Sequence, residues 1–241
     1  MQNRYTGDIG DFGKLGLLRC LQDLSIGVNW YLTPDETHNG DGRHIGYLED
    51  KRYSACDELL WRRLGELVRS GKRDTSELES LLPAVFYRNK LDIRKMKKTE
   101  RELARMAWHA GALEILHGCE LVFLDPDNGL MVPSAGTKSN KYVKPEEVID
   151  YYAQGSSVIY YQHKARKKDG FYIQQHQELT AANPDATALG LKFITTSQRY
   201  YFFVIRPEHR KKVEDAVGKL LASEWRTHFV LLPKDYIQGF E

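Results

Sequence analysis

Short apolar segments alternate along the chain with longer segments in which apolar residues recur at helical spacing. Residues 11–24 carry leucines at such spacing and predict a first helix, and "VNWYL" (28–32) predicts a strand. Residues 57–71 and 99–117 predict further helices before the buried strand 121–124. The segment "AVFYR" (84–88) does not favour either state.

The same alternation continues to the carboxyl terminus. Helices are predicted at 144–155, 170–183 and 208–224, and strands at 156–162, 189–197, 200–207 and 227–232. This order predicts an α/β fold with a doubly wound, mostly parallel sheet and an antiparallel pair of strands at its carboxyl-terminal edge. We expect one domain over residues 1–241, with a helical insertion at about 50–117.

Composition narrows the class of protein. With 241 residues, of which 41% are hydrophobic and 28% charged, the chain can bury one substantial core. Its apolar stretches are shorter than the ~20 residues of a membrane span and no signal peptide is recognisable, so we expect a soluble, cytoplasmic protein without a membrane partner. Its cysteines, Cys20, Cys56 and Cys119, are widely spaced and indicate neither a disulfide framework nor a zinc site.

Charge is informative through its distribution, because the net charge is only +2. Basic residues cluster at 88–105, 162–170 and 206–219. Such clusters neutralise the phosphates of RNA or DNA, and they are equally typical of solvated helix faces. Both interpretations stay open for each segment. If the clusters bind phosphates, the protein has a nucleic-acid partner.

The segment "LVFLDPDNGL" (121–130) carries the strongest chemical signal. Its buried strand ends in Asp125, Pro126, Asp127 and Asn128, and ligands of open α/β sheets bind at the carboxyl ends of strands. The following strand ends near Gln162 and Lys164, with Arg166 just beyond. If the two strands are parallel neighbours, these side chains share one crevice. An Asp carboxylate there can orient an amine, or hold a divalent cation together with Asp127.

Two glycine-containing segments precede this strand. In "GDIGDFGK" (7–14), Asp11 and Lys14 are three residues apart and share one face of the predicted helix, where they can pair. In "THNGDGR" (37–43), Gly40 and Gly42 would let the backbone approach an anionic or ribose-bearing ligand. A helix start and a surface turn, respectively, are the alternative explanations.

The order of these motifs resembles a known family. Gly7, Asp11 and Lys14, then a strand, then Thr37, His38, Gly40 and Gly42, then a strand ending in Asp125 and Pro126, are similar to the bacterial ribosomal RNA adenine-N6 methyltransferases of the J type. These belong to the class I S-adenosylmethionine-dependent, Rossmann-like fold. The order also looks like the wider group that includes the three-Cys-motif partner proteins, so a bacterial or phage origin is expected.

The resemblance implies roles for particular residues. Lys14, His38, Gly40 and Gly42 would surround S-adenosylmethionine, and Asp35 or Glu36 would contact its ribose hydroxyls. Asp125 and Pro126 would face the target amine. From the positions of the remaining candidates in the sequence, we add Asp127 and Asn128 to the catalytic turn and assign Asp11, Gln162, Lys164 and Arg166 to the substrate. Where the family has a second proline and then an aromatic residue, this chain has Asp127 and Asn128. Stacking of roughly 1–3 kcal/mol per base would therefore come from elsewhere.

The leading prediction is a methyltransferase acting on an amine of a nucleic acid, with Asp125 orienting that amine. A metal-dependent nuclease is the first alternative: Asp125 and Asp127 would bind Mg²⁺ or Mn²⁺, and Gln162 with Lys164 would imitate an acid-x-lysine signature. This alternative leaves the two glycine segments unexplained. The second alternative is a catalytically inactive methyltransferase fold that serves as a binding module.

Overall fold

A computed structural model describes residues 1–35, 44–195 and 197–233. Its helices are α1 (Ile9–Cys20), α2 (Lys51–Ser54), α3 (Glu58–Ser70), α4 (Ser76–Glu79), α5 (Lys98–Ile115), α6 (Pro145–Ala153), α7 (Asp169–Ala181) and α8 (Arg210–Ala222). Its strands are β1 (Ile26–Asn29), β2 (Ala84–Tyr87), β3 (Leu121–Leu124), β4 (Gly129–Leu130), β5 (Tyr142–Val143), β6 (Ser157–His163), β7 (Thr187–Phe193), β8 (Arg199–Ile205) and β9 (Phe229–Leu231). None of these helices is both long and apolar enough to cross a membrane.

Within the described ranges, the central sheet has seven strands in the order β2-β1-β3-β6-β8-β7-β9. Strands β2, β1, β3 and β6 are parallel neighbours. Strand β8 runs antiparallel between β6 and β7, and β9 runs antiparallel to β7. The chain is therefore a mixed α/β protein with a mostly parallel sheet. The antiparallel pair predicted near the carboxyl terminus is confirmed, and β9 extends it to the edge.

Helices cover both faces of this sheet because successive strand residues point to opposite sides. Helices α1, α3 and α8 pack on one face, and α5, α6 and α7 pack on the other. The aromatic run of β8 shows the alternation: Tyr201 and Phe203 belong to the first core, and Tyr200 and Phe202 to the second. All four are at most 1% exposed, so each of them is a core residue.

The segment from about 50 to 117 is more than a helical insertion. Between α4 and α5 it contributes β2, the strand that the sequence left undecided, which pairs in parallel with β1 at the edge of the central sheet. Strand β1 also ends at Asn29, earlier than predicted, and Tyr31 adopts a positive φ of 47°. That conformation is uncommon for a residue other than glycine. Tyr31 therefore turns the chain sharply at the carboxyl end of β1.

Close packing explains the glycines of "GDIGDFGK" and its continuation. A Cβ atom on Gly13 would lie 2.6 Å from the ring of Phe193, and one on Gly16 would overlap the indole of Trp225. A Cβ on Gly10 would overlap the side chain of Arg199. These glycines recur every three residues on one face of α1, so the helix approaches β7, β8 and the segment after α8 more closely than a helix with side chains on that face could. Their spacing is a packing signal.

Replacement of Gly13 by alanine is expected to lower the free energy of unfolding by about 1–3 kcal/mol, because Phe193 must move to admit the methyl group. Gly218 offers a matched control, since it also lies inside a helix but a Cβ atom there would meet no side chain of the described residues within 4 Å. Gly218→Ala should raise the stability by about 0.5–1 kcal/mol through helix propensity. Urea denaturation of both variants measures the difference, and equal effects would contradict the packing explanation.

Candidate functional site

The polar cluster after β3 lies beside the end of β1. Residues Asn29 and Leu124 are partners in the parallel register, and the amide of Asp125 donates to the carbonyl of Asn29 at 2.9 Å. The chain leaves β1 towards β2 on one side and returns to β3 on the other. The carboxyl ends of β1 and β3 therefore form a topological switch point, which is where open α/β sheets bind ligands.

A buried ion cluster joins α1 to this switch point. Lys14 Nζ lies 2.5 Å from Asp125 Oδ2 and 3.0 Å from Asp11 Oδ1, and each of the three residues is at most 4% exposed. Burial alone would lower the pKa of Lys14, but the attraction of Asp11 and Asp125 raises it above its ordinary value, so the ammonium stays charged. The predicted pairing of Asp11 with Lys14 is thus present, and Lys14 also reaches Asp125.

The two carboxylates of the "DPDN" turn have different environments. Burial raises the pKa of Asp125 above its ordinary value despite the opposing charge of Lys14. Burial also favours the neutral form of Asp127, but the amino-terminal ammonium 2.9 Å away, Lys141 and Gln2 outweigh it and lower the pKa of that carboxyl. Oδ1 of Asp125 makes no hydrogen bond to any described residue. This oxygen is the acceptor that the turn leaves available.

Gln162 fixes the backbone of the same turn. Its Oε1 accepts a hydrogen bond from the amide of Leu130 at 2.9 Å, and its Nε2 donates to the carbonyls of Asn128 and His163 at 3.0 Å. Gly129 has a φ of 112°, and a Cβ there would overlap the Gln162 amide. Position 129 requires glycine because the backbone has a positive φ and because the Gln162 amide leaves no room for a Cβ atom. Gln162 therefore positions the turn through hydrogen bonds to its main chain.

A cavity of about 570 Å³ opens at the switch point, and we call it the main cavity. Asp11, Lys14 and the whole turn from Asp125 to Asn128 line it. The remainder of the lining is predominantly polar and basic: Met1, Arg4, Tyr5, Asp8, Gly10, His44, Arg94, Lys138, Lys141, Tyr161, His163, Ser197 and Arg199. Its volume lies within the roughly 300–1,000 Å³ of small-molecule sites.

A second buried ion pair supports the edge of the site. Arg105 on α5 donates from Nε to Glu147 Oε1 at 2.6 Å and from Nη2 to Oε2 at 2.8 Å. Glu147 also accepts from the hydroxyl of Tyr31 at 3.0 Å. Burial would raise the pKa of Glu147, but Arg105 brings it below the ordinary value. This contact holds the turn after β1 against α5 and α6.

The predicted site residues fall into several groups. Asp11, Lys14, Asp125, Pro126, Asp127 and Asn128 meet at the main cavity. Lys164, 3.4 Å from Asp169, and the exposed Arg166 line neither this cavity nor the neighbouring one that contains Gln162. Asp35 is exposed and also lies outside both linings. Glu36, His38, Gly40 and Gly42 lie outside the described residues.

Sequence reasoning missed several charged residues of the site: Arg4, Asp8, Lys138, Lys141 and Arg199. Asp8 caps α1, accepting from the amide of Gly10 at 2.7 Å, and burial with the charge of Asp11 raises its pKa. Arg199 is 5% exposed and lines the main cavity at the start of β8. A basic residue at the beginning of an otherwise apolar strand was the available signal for Arg199. An Asp directly before "IGDF" was the capping signal for Asp8.

The residues described by the structure contain no group of three or more His, Cys, Asp or Glu side chains placed to hold a metal ion. Asp125 and Asp127 each contact a different positive charge, Lys14 in one case and the amino-terminal ammonium in the other. This geometry provides no specific support for a cation shared between the two carboxylates.

Comparisons with known proteins give a distant structural likeness. No family model matches the chain, and no curated protein matches it. The chain is similar to the crystal structure of a Legionella pneumophila protein described by the family model DUF519, with 10% sequence identity, a TM-score of 0.47 and coverage of 94% of this chain and 96% of that chain. We base no functional argument on this likeness.

Proposed function

We propose that the protein is an S-adenosylmethionine-dependent methyltransferase of the Rossmann-like type that acts on an amine of a nucleic acid. One observation carries the proposal: Asp125, paired with Lys14, lies on the wall of the main cavity at the switch point between β1 and β3. The parallel strands β2, β1, β3 and β6, followed by antiparallel strands, agree with the arrangement expected of that fold.

The main cavity suits the cofactor in size and charge. Its lining combines carboxylates with basic groups, and S-adenosylmethionine carries a sulfonium, an ammonium and a carboxylate. When bound, the cofactor supplies an electrophilic methyl group. Lys14 would contact it from α1, together with Glu36, His38, Gly40 and Gly42, which the sequence indicated.

Asp125 is the group that would handle the acceptor amine. Its Oδ2 is held by Lys14 at 2.5 Å, which fixes the carboxylate and leaves Oδ1 to accept a hydrogen bond from an amino group. Such a bond directs the nitrogen lone pair away from the carboxylate and towards the methyl donor. The raised pKa of Asp125 also makes it a better proton acceptor than an ordinary Asp once the amine has been alkylated.

Basic residues favour a phosphate-bearing acceptor. Arg94, Lys138 and Lys141 line the main cavity, and Arg94 belongs to the basic segment 88–105. Ion pairs occur in both places: Lys141 lies 3.6 Å from Asp127, and in the basic segment 206–219 Arg206, Arg210 and Lys211 pair with neighbouring carboxylates at 2.5–2.9 Å. The segments 88–105 and 162–170 each contribute a residue to the lining of the main cavity, Arg94 and His163, and this position supports a nucleic-acid partner.

Calorimetric titration of S-adenosylmethionine into the metal-free protein tests the proposal. We expect micromolar binding that needs no metal, and a large loss of affinity in Lys14→Met. The matched control is Lys211→Met, because Lys211 is exposed and its ion pair, with Asp215, lies on the surface of α8. Absence of cofactor binding, together with a stoichiometric Mg²⁺ or Mn²⁺ signal that Asp125→Ala removes, would replace the methyltransferase by the nuclease alternative.

A further inference from the structure

A second cavity of about 640 Å³ adjoins the main cavity, and Asn128 and His163 line both. The second cavity lies between β4, the end of β6 and the first turns of α7. A ligand in it would therefore lie next to the "DPDN" turn and on the side away from α1. Neither the ion cluster nor the basic groups Arg94, Lys138 and Lys141 contribute to its lining.

The walls of the second cavity include aliphatic and aromatic side chains, and Lys167 also lines it, with its ammonium 5.4 Å from the centroid of the Phe171 ring. Leu130, Val132 and Pro133 come from β4 and the residues after it, and Tyr142 and Phe171 add rings. Phe171 is 38% exposed although most large apolar side chains of the protein are buried. It packs edge-to-face on Tyr172 with ring centroids 5.4 Å apart. The hydroxyl of Tyr172 in turn accepts from the amide of Ala165 at 2.8 Å, which fixes that ring.

The polar part of the second cavity consists of Ser134, His163, Lys167 and Glu178 together with the carboxamide residues Asn128, Gln162, Gln174 and Gln175. The side chains of Asn128 and Gln175 line the cavity and make no hydrogen bond to any described residue. Gln162 and Gln174 have partners already, the former in the turn and the latter in Glu178 at 2.9 Å. A carboxamide offers one donor and one acceptor side by side, which matches the paired donor and acceptor on the edge of a nucleobase.

We infer that the second cavity binds a nucleobase, with its ring against Phe171 and Tyr142 and its polar edge towards Asn128 and Gln175. Aromatic walls recognise any base through its π-face, and the carboxamides select among edges. The inference rests on the proposed function in one respect only, the identification of this base as the methyl acceptor. Because Asp125 lines the main cavity and not the second one, the amine of such a base would have to project past Asn128, which lines both cavities, to reach Asp125 Oδ1. Asn128 stands where the family that the chain resembles has an aromatic residue. In this proposal Asn128 hydrogen-bonds to the edge of the base, and Phe171 on α7 supplies the aromatic surface.

Adenosine binding without any cofactor tests this inference. Ala165 is exposed and lines the second cavity, so Ala165→Trp fills the cavity without altering the main one. We expect Ala165→Trp to weaken adenosine binding by at least about tenfold, as expected for loss of base stacking, and Asn128→Ala to weaken it less. Ala182→Trp is the matched control, because Ala182 is also exposed but follows the opposite end of α7.

The two proposals fail in distinguishable ways. If adenosine binds Ala165→Trp as tightly as it binds the unaltered chain, or does not bind the unaltered chain at millimolar concentration, the second cavity is not a nucleobase site. The urea denaturation midpoint of Ala165→Trp is expected to equal that of the unaltered chain, which shows that the variant is folded, and its S-adenosylmethionine binding is expected to be unchanged. If adenosine binding depends on Ala165 and Asn128 but S-adenosylmethionine does not bind at all, the nucleobase site stands and methyl transfer is wrong.

Discussion

Asp125→Asn is expected to reduce methyl transfer by about 10²–10³-fold, the loss typical of removing one positioned polar group from an active site. Asparagine keeps the shape of the side chain but lacks the negative charge that Lys14 holds at 2.5 Å. It is also a far weaker proton acceptor than a carboxylate. Incorporation of tritium from methyl-labelled S-adenosylmethionine into ribosomal RNA and genomic DNA measures the effect.

Glu120→Gln is the matched control for this variant. Glu120 directly precedes β3, so it lies at the opposite end of the strand that carries Asp125, and it pairs at the surface with Lys212 at 2.8 Å. Methyl transfer by Glu120→Gln should equal that of the unaltered chain. Cofactor binding by Asp125→Asn should persist, because Asp11 still neutralises Lys14 at 3.0 Å.

Variants of Asp125 also distinguish the enzyme hypothesis from the hypothesis of an inactive binding module. If Asp125→Asn transfers methyl groups at the unaltered rate, the role assigned to this carboxylate is wrong. If biological activity survives Asp125→Ala but is lost on charge reversal in the basic segment 162–168, the fold serves as an inactive binding module.

Arg105→Met is expected to lower the free energy of unfolding by about 3–5 kcal/mol, the cost of leaving a buried charge without its partner. Arg105 is 2% exposed and satisfies both oxygens of Glu147 as well as the carbonyls of Ser139 and Tyr142 at 2.7 Å. Its loss leaves the Glu147 carboxylate buried without its positive charge and removes a donor from Glu147 Oε1 and from the two carbonyls. Urea denaturation followed by circular dichroism measures the change.

Arg88→Met provides the comparison for Arg105→Met. Arg88 makes a similar two-oxygen contact with Glu79, with a shortest distance of 2.6 Å, but its side chain is 64% exposed. Solvent screens such a pair, so this variant should lose less than about 1 kcal/mol. Equal losses in the two variants would show that burial does not decide the strength of the Arg105–Glu147 pair.

The outline of the fold could be predicted from the sequence because helices and strands differ in the period of their apolar residues. The buried run 121–124 and the helical spacing of leucines in 57–71 are such local signals, and both elements form as predicted. Strand β2 was left undecided because its pairing with β1 is a long-range contact that "AVFYR" does not encode locally. The antiparallel position of β8 between β6 and β7 is likewise a property of the assembled sheet.

The candidate site was predictable in part for the same reason. Turn chemistry after a buried strand indicated Asp125 to Asn128, and helical spacing paired Asp11 with Lys14. Gln162 was expected to face a substrate. Its side-chain amide instead forms hydrogen bonds with the backbone of Asn128, Leu130 and His163. Arg199 lies on β8, which is distant in sequence from the turn at residues 125–128, but it lines the same cavity.

The sequence by itself determined the class of fold, the polar turn at the end of β3 and the face that Asp11 and Lys14 share, because each depends on residues within a few positions of one another. Only the tertiary structure decided that Lys14 neutralises Asp125, that the glycines of α1 serve close packing, and that Asn128 lies between two cavities. These depend on distances between residues remote in the chain, which are set when the helices pack on the sheet.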